Sequence, residues 1–272
     1  MSLIGQEQKF DLSRFSAAVT EETFPIDAER ESKQALNPWL GDKLHLPSVE
    51  EISAAFPSLS DNSETDLEWK KFLSERGYQV WTKELINSLA DRLKRVIDGI
   101  PKNTQVTDKA EPVLVLEVGA GNGLLTYFLK KKFEEAGWTA DFIASDDNSW
   151  SLGHESLPEV SITRISCKAA MKRYQGRATI VICSWMPPLG FNEEWSALFR
   201  QQPNIYSYLL IGDEGGSGAG FRSWESGDDF IKEDLTDQID GNFGVLQRFS
   251  PHSGRRASIY LFSRLLVGNQ LK

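Results

Sequence analysis

Three observations predict an α/β protein built on a doubly wound, mostly parallel sheet. From Tyr78 onward, apolar runs of strand length alternate with helical patterns. The first of these runs ends directly in a glycine-rich turn that opens a helix. The tail carries two strand-like segments whose link is too short for a helix, which makes them an antiparallel hairpin. Five strands and the hairpin give a seven-stranded sheet. Residues 1–76 form a helical N-terminal cap and residues 77–272 the Rossmann-like domain.

Within the cap, Pro38, Pro47 and Pro57 divide the chain into short pieces. Ser48 and Glu51 have capping-box spacing ahead of Ile52 and Phe56. The large apolar groups Phe10, Phe15, Phe24, Trp39, Leu40, Phe56, Trp69 and Phe72 are too scattered for a core of their own. They are expected to dock on the domain that comes after them. Thr82 caps a helix with an apolar face of Leu85, Ile86, Leu89, Leu93, Val96 and Ile97, stopped at Gly99 and Pro101.

Val113 to Val118 reads as a strand buried on both faces. A helix over Leu124–Phe133 and a strand over Ala140–Ala144 come next. Further strands are expected at Val160–Ile165, Thr179–Cys183 and Tyr206–Ile211. The hairpin is predicted from Phe243–Phe249 and Ala257–Phe262, joined by Ser250–Arg256.

Composition narrows the function. The chain has 272 residues, 40% hydrophobic and 25% charged, as in ordinary globular proteins. No apolar stretch reaches the length of a membrane span, and Met1 to Phe10 lacks a signal-peptide pattern, so a cytoplasmic location and no membrane partner are expected. Of the net charge of −9, most lies in residues 1–76, where 15 acids face 8 bases. Only Lys130–Lys132 and Arg255–Arg256 are locally basic, which argues against a nucleic-acid partner. The two cysteines, Cys167 and Cys183, and three histidines have no metal-ligand spacing, and no metal is expected.

The chemistry concentrates where the first strand ends, at Glu117-x-Gly119-x-Gly121-x-Gly123. Glycines here allow a tight turn and the close approach of a ligand to backbone N–H groups. The dinucleotide fingerprint G-x-G-x-x-G fails, because Leu124 stands where its third glycine belongs. The pattern resembles the first motif of the class I S-adenosylmethionine-dependent methyltransferases, and the resemblance extends over Tyr78 to Lys272. It implies S-adenosyl-L-methionine as cofactor, held by Glu117, Gly119, Ala120, Gly121, Asn122 and Gly123. It also implies an acid on the ribose hydroxyls at the end of the second strand. Asp146 is the first choice and Asp147 the second, since a carboxylate can accept both bonds of a vicinal diol. After the third strand, Ser166-Cys167-Lys168-Ala169 lacks the acid that relatives carry near adenine, leaving the Cys167 or Lys168 backbone.

Two further loops face the same cleft, because open α/β sheets bind ligands at the carboxyl ends of their strands. Ser184 and Trp185 open a proline-rich stretch, Met186 to Phe191, that does not reproduce the N-P-P-Y motif of some amino-methylating relatives. Both residues are candidates for the methionine end of the cofactor and for catalysis. Asp213 and Glu214, in the glycine-rich turn after the fifth strand, are candidates to orient an amine or accept a proton. Tyr78 and Trp81 either close the pocket or form the hydrophobic entry to the first domain helix. The expected function is methyl transfer to the N or O of a small-molecule substrate. The alternatives are a protein side-chain acceptor, or cofactor binding without transfer in a partner subunit.

Overall fold

The computed structural model describes residues 37–56, 72, 80–101, 111–149, 157–185, 195–212, 221–225, 227, 229–236 and 258–265. The chain forms two compact units, Met1–Pro38 and Trp39–Lys272, and the sheet belongs to the second.

Helix α1 (Val49–Ala55) begins with the anticipated capping box. The Glu51 amide donates to Ser48 Oγ at 3.1 Å and the Ser48 amide to Glu51 Oε2 at 2.6 Å. Ile52, Ala55 and Phe56 join Phe72 and Val80 in a small core of their own, with Trp39 and Leu40 against it, while Leu44 and Leu46 pack on the main core. Those aromatic groups therefore find part of their cover from one another, not only from the sheet domain. Burial pushes the Glu51 carboxyl up, but the Ser48 amide and hydroxyl and the Lys83 ammonium outweigh it and hold the group at about 2.

Helix α2 (Lys83–Gly99) is capped by Thr82, whose Oγ1 accepts from the Leu85 amide at 3.2 Å. It buries Leu85, Ile86, Leu89, Ala90 and Leu93, one stripe of a 3.6-residue helix. The strands are β1 (Leu114–Val118), β2 (Asp141–Ser145), β3 (Ile162–Thr163), β4 (Thr179–Ser184), β5 (Ile205–Gly212), β6 (Phe230–Asp234) and β7 (Ser258–Arg264). They form one seven-stranded sheet in the order β3-β2-β1-β4-β5-β7-β6. The first five run parallel, and β7 lies antiparallel between β5 and β6.

Side chains of the central strands alternate between two cores, as the pleat demands. Val115, Ile180, Ile182, Leu209, Ile211, Ile259 and Leu261 meet α2 and helix α3 (Leu124–Glu135) on one face. Leu114, Leu116, Val118, Val181, Cys183, Tyr208, Leu210 and Phe262 meet α4 (Cys167–Arg173) and α5 (Trp195–Arg200) on the other. Both faces of the sheet are covered, which is why its strands read as continuous apolar runs.

Two expectations are corrected. The third strand spans only Ile162–Thr163, not Val160–Ile165. Val160 N–H turns back to the Leu157 carbonyl and Ile165 N–H to the Thr163 carbonyl, so both ends leave the ladder. In the tail, the partners of β7 are β5 and β6, and β6 at 230–234 was not anticipated. Its sequence, Phe-Ile-Lys-Glu-Asp, buries only Phe230 and has the charged face of an edge strand. The segment Phe243–Phe249 lies outside the described residues.

Candidate functional site

The carboxyl ends of β1, β2 and β3 come together around the glycine turn. Gly119, Gly121 and Gly123 adopt φ of 64°, 55° and 71°, a region that L side chains rarely enter. The Ala120 amide donates to the Ser145 carbonyl at 3.0 Å, which ties the turn to the end of β2. Gly123 serves packing: a Cβ there would lie 2.7 Å from Val160 Cγ1 and 3.1 Å from Ile162 Cγ1. Its missing side chain lets α3 settle against β3, so the space it frees faces protein.

Glu117 sits beneath the turn and is only 2% exposed. Its Oε2 accepts from the Thr126 amide at 3.1 Å and from the Thr126 hydroxyl at 2.5 Å. Ser145 Oγ donates to the Glu117 carbonyl at 3.0 Å. Burial pushes the Glu117 carboxyl up to about 7; the Thr126 bonds pull it down and the Asp146 charge adds to the rise. The acid thus joins β1 to the first turn of α3 and holds the turn between them. Thr126 is a functional residue that sequence reasoning missed; its signal was a hydroxyl in the first turn of an otherwise apolar helix.

Asp146 is where the resemblance places the ribose acid. Its Oδ2 accepts from the Gly121 amide at 2.9 Å and its Oδ1 from the Asn148 amide at 2.7 Å. Arg164 Nη1 lies 3.9 Å from Oδ1. The carboxylate therefore bridges the turn and the end of β2. An ionised carboxylate has about four acceptor positions, so two backbone bonds leave capacity for a diol. Asp147 does something else: its Oδ1 accepts from the Ser149 amide at 2.9 Å, and that bonding holds its carboxyl below the usual range.

After β3, Ser166 caps α4, its Oγ accepting from the Ala169 amide at 3.3 Å. The Cys167 side chain is buried, with Sγ 3.8 Å from Met171 Sδ, and burial pushes its thiol up to about 12. Only the backbone of Cys167 is left to meet a ligand. Cys183 is also buried, in the α4–α5 core.

On the other side of the cleft, Ser184 ends β4 half-buried. Trp185 comes next at φ 53°, and its amide extends the β4–β5 ladder by donating to the Ile211 carbonyl at 2.8 Å. A Cβ on Gly212 would lie 3.8 Å from Trp185 Cε3, so the indole stands over the end of β5. Trp81 is buried in the α2–α3 core, which makes it the hydrophobic entry to α2. Asp213 and Glu214, Met186 to Phe191, and Tyr78 lie outside the described residues. Among the described residues no group of three or more His, Cys, Asp or Glu is placed to hold a metal, and no helix is long and apolar enough to cross a membrane.

A parallel 3-2-1-4-5 sheet completed by an antiparallel seventh strand before the sixth is the class I methyltransferase fold, and strand order alone fixes it here. No protein-family model and no curated protein sequence matches the chain. Solved structures do resemble it. The methyltransferase domain of the citrinin polyketide synthase is 13% identical, with 90% of this chain and 71% of that chain covered at a TM-score of 0.40. The plantazolicin methyltransferase BpumL in complex with SAH is 14% identical, with 80% and 98% covered and a TM-score of 0.34. A putative class I S-adenosylmethionine-dependent methyltransferase from Listeria monocytogenes is 11% identical, with 82% and 70% covered and a TM-score of 0.32.

Proposed function

We propose that this protein is a cytoplasmic S-adenosyl-L-methionine-dependent methyltransferase acting on the N or O of a small molecule. The observation that carries the reading is the bridge from the Gly121 amide to the Asp146 carboxylate. It sets a positive-φ turn and a ribose-type acid side by side at the carboxyl ends of β1 and β2. The residues fit the cofactor: the turn brings backbone close to a ligand without side-chain obstruction, and Asp146 keeps acceptor capacity for the ribose hydroxyls. The cofactor supplies an activated methyl group on a sulfonium. The chain's part is then to hold donor and acceptor in line and to exclude water.

Ser184 and Trp185 line the methionine end and the acceptor side in this reading. Asp213 and Glu214 orient the acceptor or take up its proton, which must leave when a protonated N or O is methylated. The acidic N-terminal segment, residues 1–76, is assigned to the acceptor side, where its charge suits an amine.

Isothermal titration with S-adenosylmethionine and S-adenosylhomocysteine tests the reading. Micromolar affinity for both is expected, and its loss in Gly121→Val, whose side chain would have to adopt φ 55°, is expected with it. No binding at millimolar concentration overturns it. Incubation of extract with methyl-labelled cofactor separates the acceptor classes: label in extractable metabolites supports a small molecule, and label in protein overturns that choice.

A further inference from the structure

Arg164 is the charged residue that neither the turn nor the ribose acid explains. It stands directly after β3, as Asp146 stands directly after β2. The two strands pair in parallel with Ser145 opposite Thr163, and the Asp146 amide donates to the Thr163 carbonyl at 3.1 Å. Arg164 and Asp146 therefore lie side by side at the carboxyl end of the sheet, with Nη1 3.9 Å from Oδ1. The Arg164 side chain is 47% exposed and that of Asp146 17%. A guanidinium half in solvent gains little from such a pair alone.

The chemistry beside it is uneven. Ser166-Cys167-Lys168-Ala169 offers no carboxylate to receive an adenine 6-amino group, and the Cys167 thiol is turned into the core. Arginine supplies donors only, so it recognises ring nitrogens and hydroxyl oxygens, not the amino group. With the ribose diol on Asp146, the purine atom nearest that carboxylate is N3, an acceptor on the sugar edge of the base.

We propose that Arg164 reads the sugar edge of the cofactor, donating to purine N3 from beside Asp146, and that the 6-position of the base is read weakly. This rests on the cofactor assignment above. The Arg164–Asp146 pair keeps the guanidinium aimed at the edge before the cofactor arrives, which limits the side-chain entropy lost on binding. Discrimination among purines then falls on N3, a position that adenine and hypoxanthine share.

The test compares S-adenosylhomocysteine with its 3-deaza and 6-oxo (inosyl) analogues by titration against the full chain, its Arg164→Ala variant and Arg164→Lys. In the unaltered protein the 3-deaza analogue should bind about tenfold more weakly, the scale of one hydrogen bond to a charged donor. The 6-oxo analogue should stay within about threefold. Arg164→Ala should lose affinity for S-adenosylhomocysteine and bind the 3-deaza analogue equally well, while Arg164→Lys keeps part of the discrimination. Thermal melting of each variant guards against misfolding. Equal binding of the 3-deaza analogue by the unaltered protein, or undiminished discrimination in Arg164→Ala, overturns the proposal while leaving the cofactor assignment standing. Failure of S-adenosylhomocysteine itself to bind overturns both.

Discussion

The two sides of the cleft are built on different terms. On the β1–β2–β3 side, five hydrogen bonds join Glu117, Thr126, Ser145, Asp146, Asn148 and Gly121, so each residue's type depends on its neighbour. On the β4–β5 side, Trp185 is held by its backbone at the end of a ladder and presents an indole over Gly212. The first side fixes a ligand of constant shape. The second offers a surface that loops can remodel without disturbing the sheet, which is how one fold serves many acceptors.

Substitutions should separate the two sides, and the largest effects belong to the first. Gly123→Ala places a Cβ 2.7 Å from Val160 Cγ1 at φ 71°. It should cost about 3 kcal/mol by denaturant unfolding, from left-handed strain and overpacking together. Adding Val160→Ala should recover the packing share and leave the backbone share. No loss in the single variant would mean that α3 does not depend on that contact.

Glu117 gives a pH signature of similar size. Its folded pKa of about 7 stands above the unfolded value of 4.5, so the group favours folding below 4.5 and that contribution is lost as pH rises through 7. Relative to Glu117→Gln, the unaltered protein should lose up to about 3 kcal/mol of stability between pH 4.5 and 8. Parallel stability curves for the two would show that burial does not raise this carboxyl.

A smaller loss is expected from Asp146→Asn, because an amide cannot accept from both the Gly121 and Asn148 amides while serving a diol. Unfolding should become easier by about 1–2 kcal/mol. Affinity for S-adenosylhomocysteine should fall at least about tenfold, read by calorimetry. The smallest effect on that affinity belongs to the other side. Trp185→Ala should leave it within about threefold, since one packing contact is lost and no hydrogen-bonded bridge is broken. A loss as large as that of Asp146→Asn would erase the distinction between the two sides.

The same contrast explains what was legible in the sequence. The apolar runs at 114–118, 179–184 and 205–212 announce strands because both faces of the sheet are covered. The glycine spacing and Asp146 were readable because the backbone demands them. Strand β6 was not, since an edge strand that buries only Phe230 carries no alternation to detect. Thr126 and Arg164 escaped for another reason. Each acts through a partner distant in sequence, Glu117 and Asp146 respectively, and only the pairing of β1, β2 and β3 with α3 brings those partners near.

The place of β7 has a consequence for how the molecule is made. Strand β5, Ile205–Gly212, is almost wholly apolar, and one of its edges is covered only by Ser258–Arg264. During synthesis that edge stays open until the chain has grown some fifty residues further, as read from the numbering of the two strands. A ribosome-bound or truncated chain ending before Ser258 exposes an unpaired apolar strand in the middle of the future sheet, a template for intermolecular pairing. Solubility of such truncations, more than their residual activity, is where the late arrival of β7 would be felt.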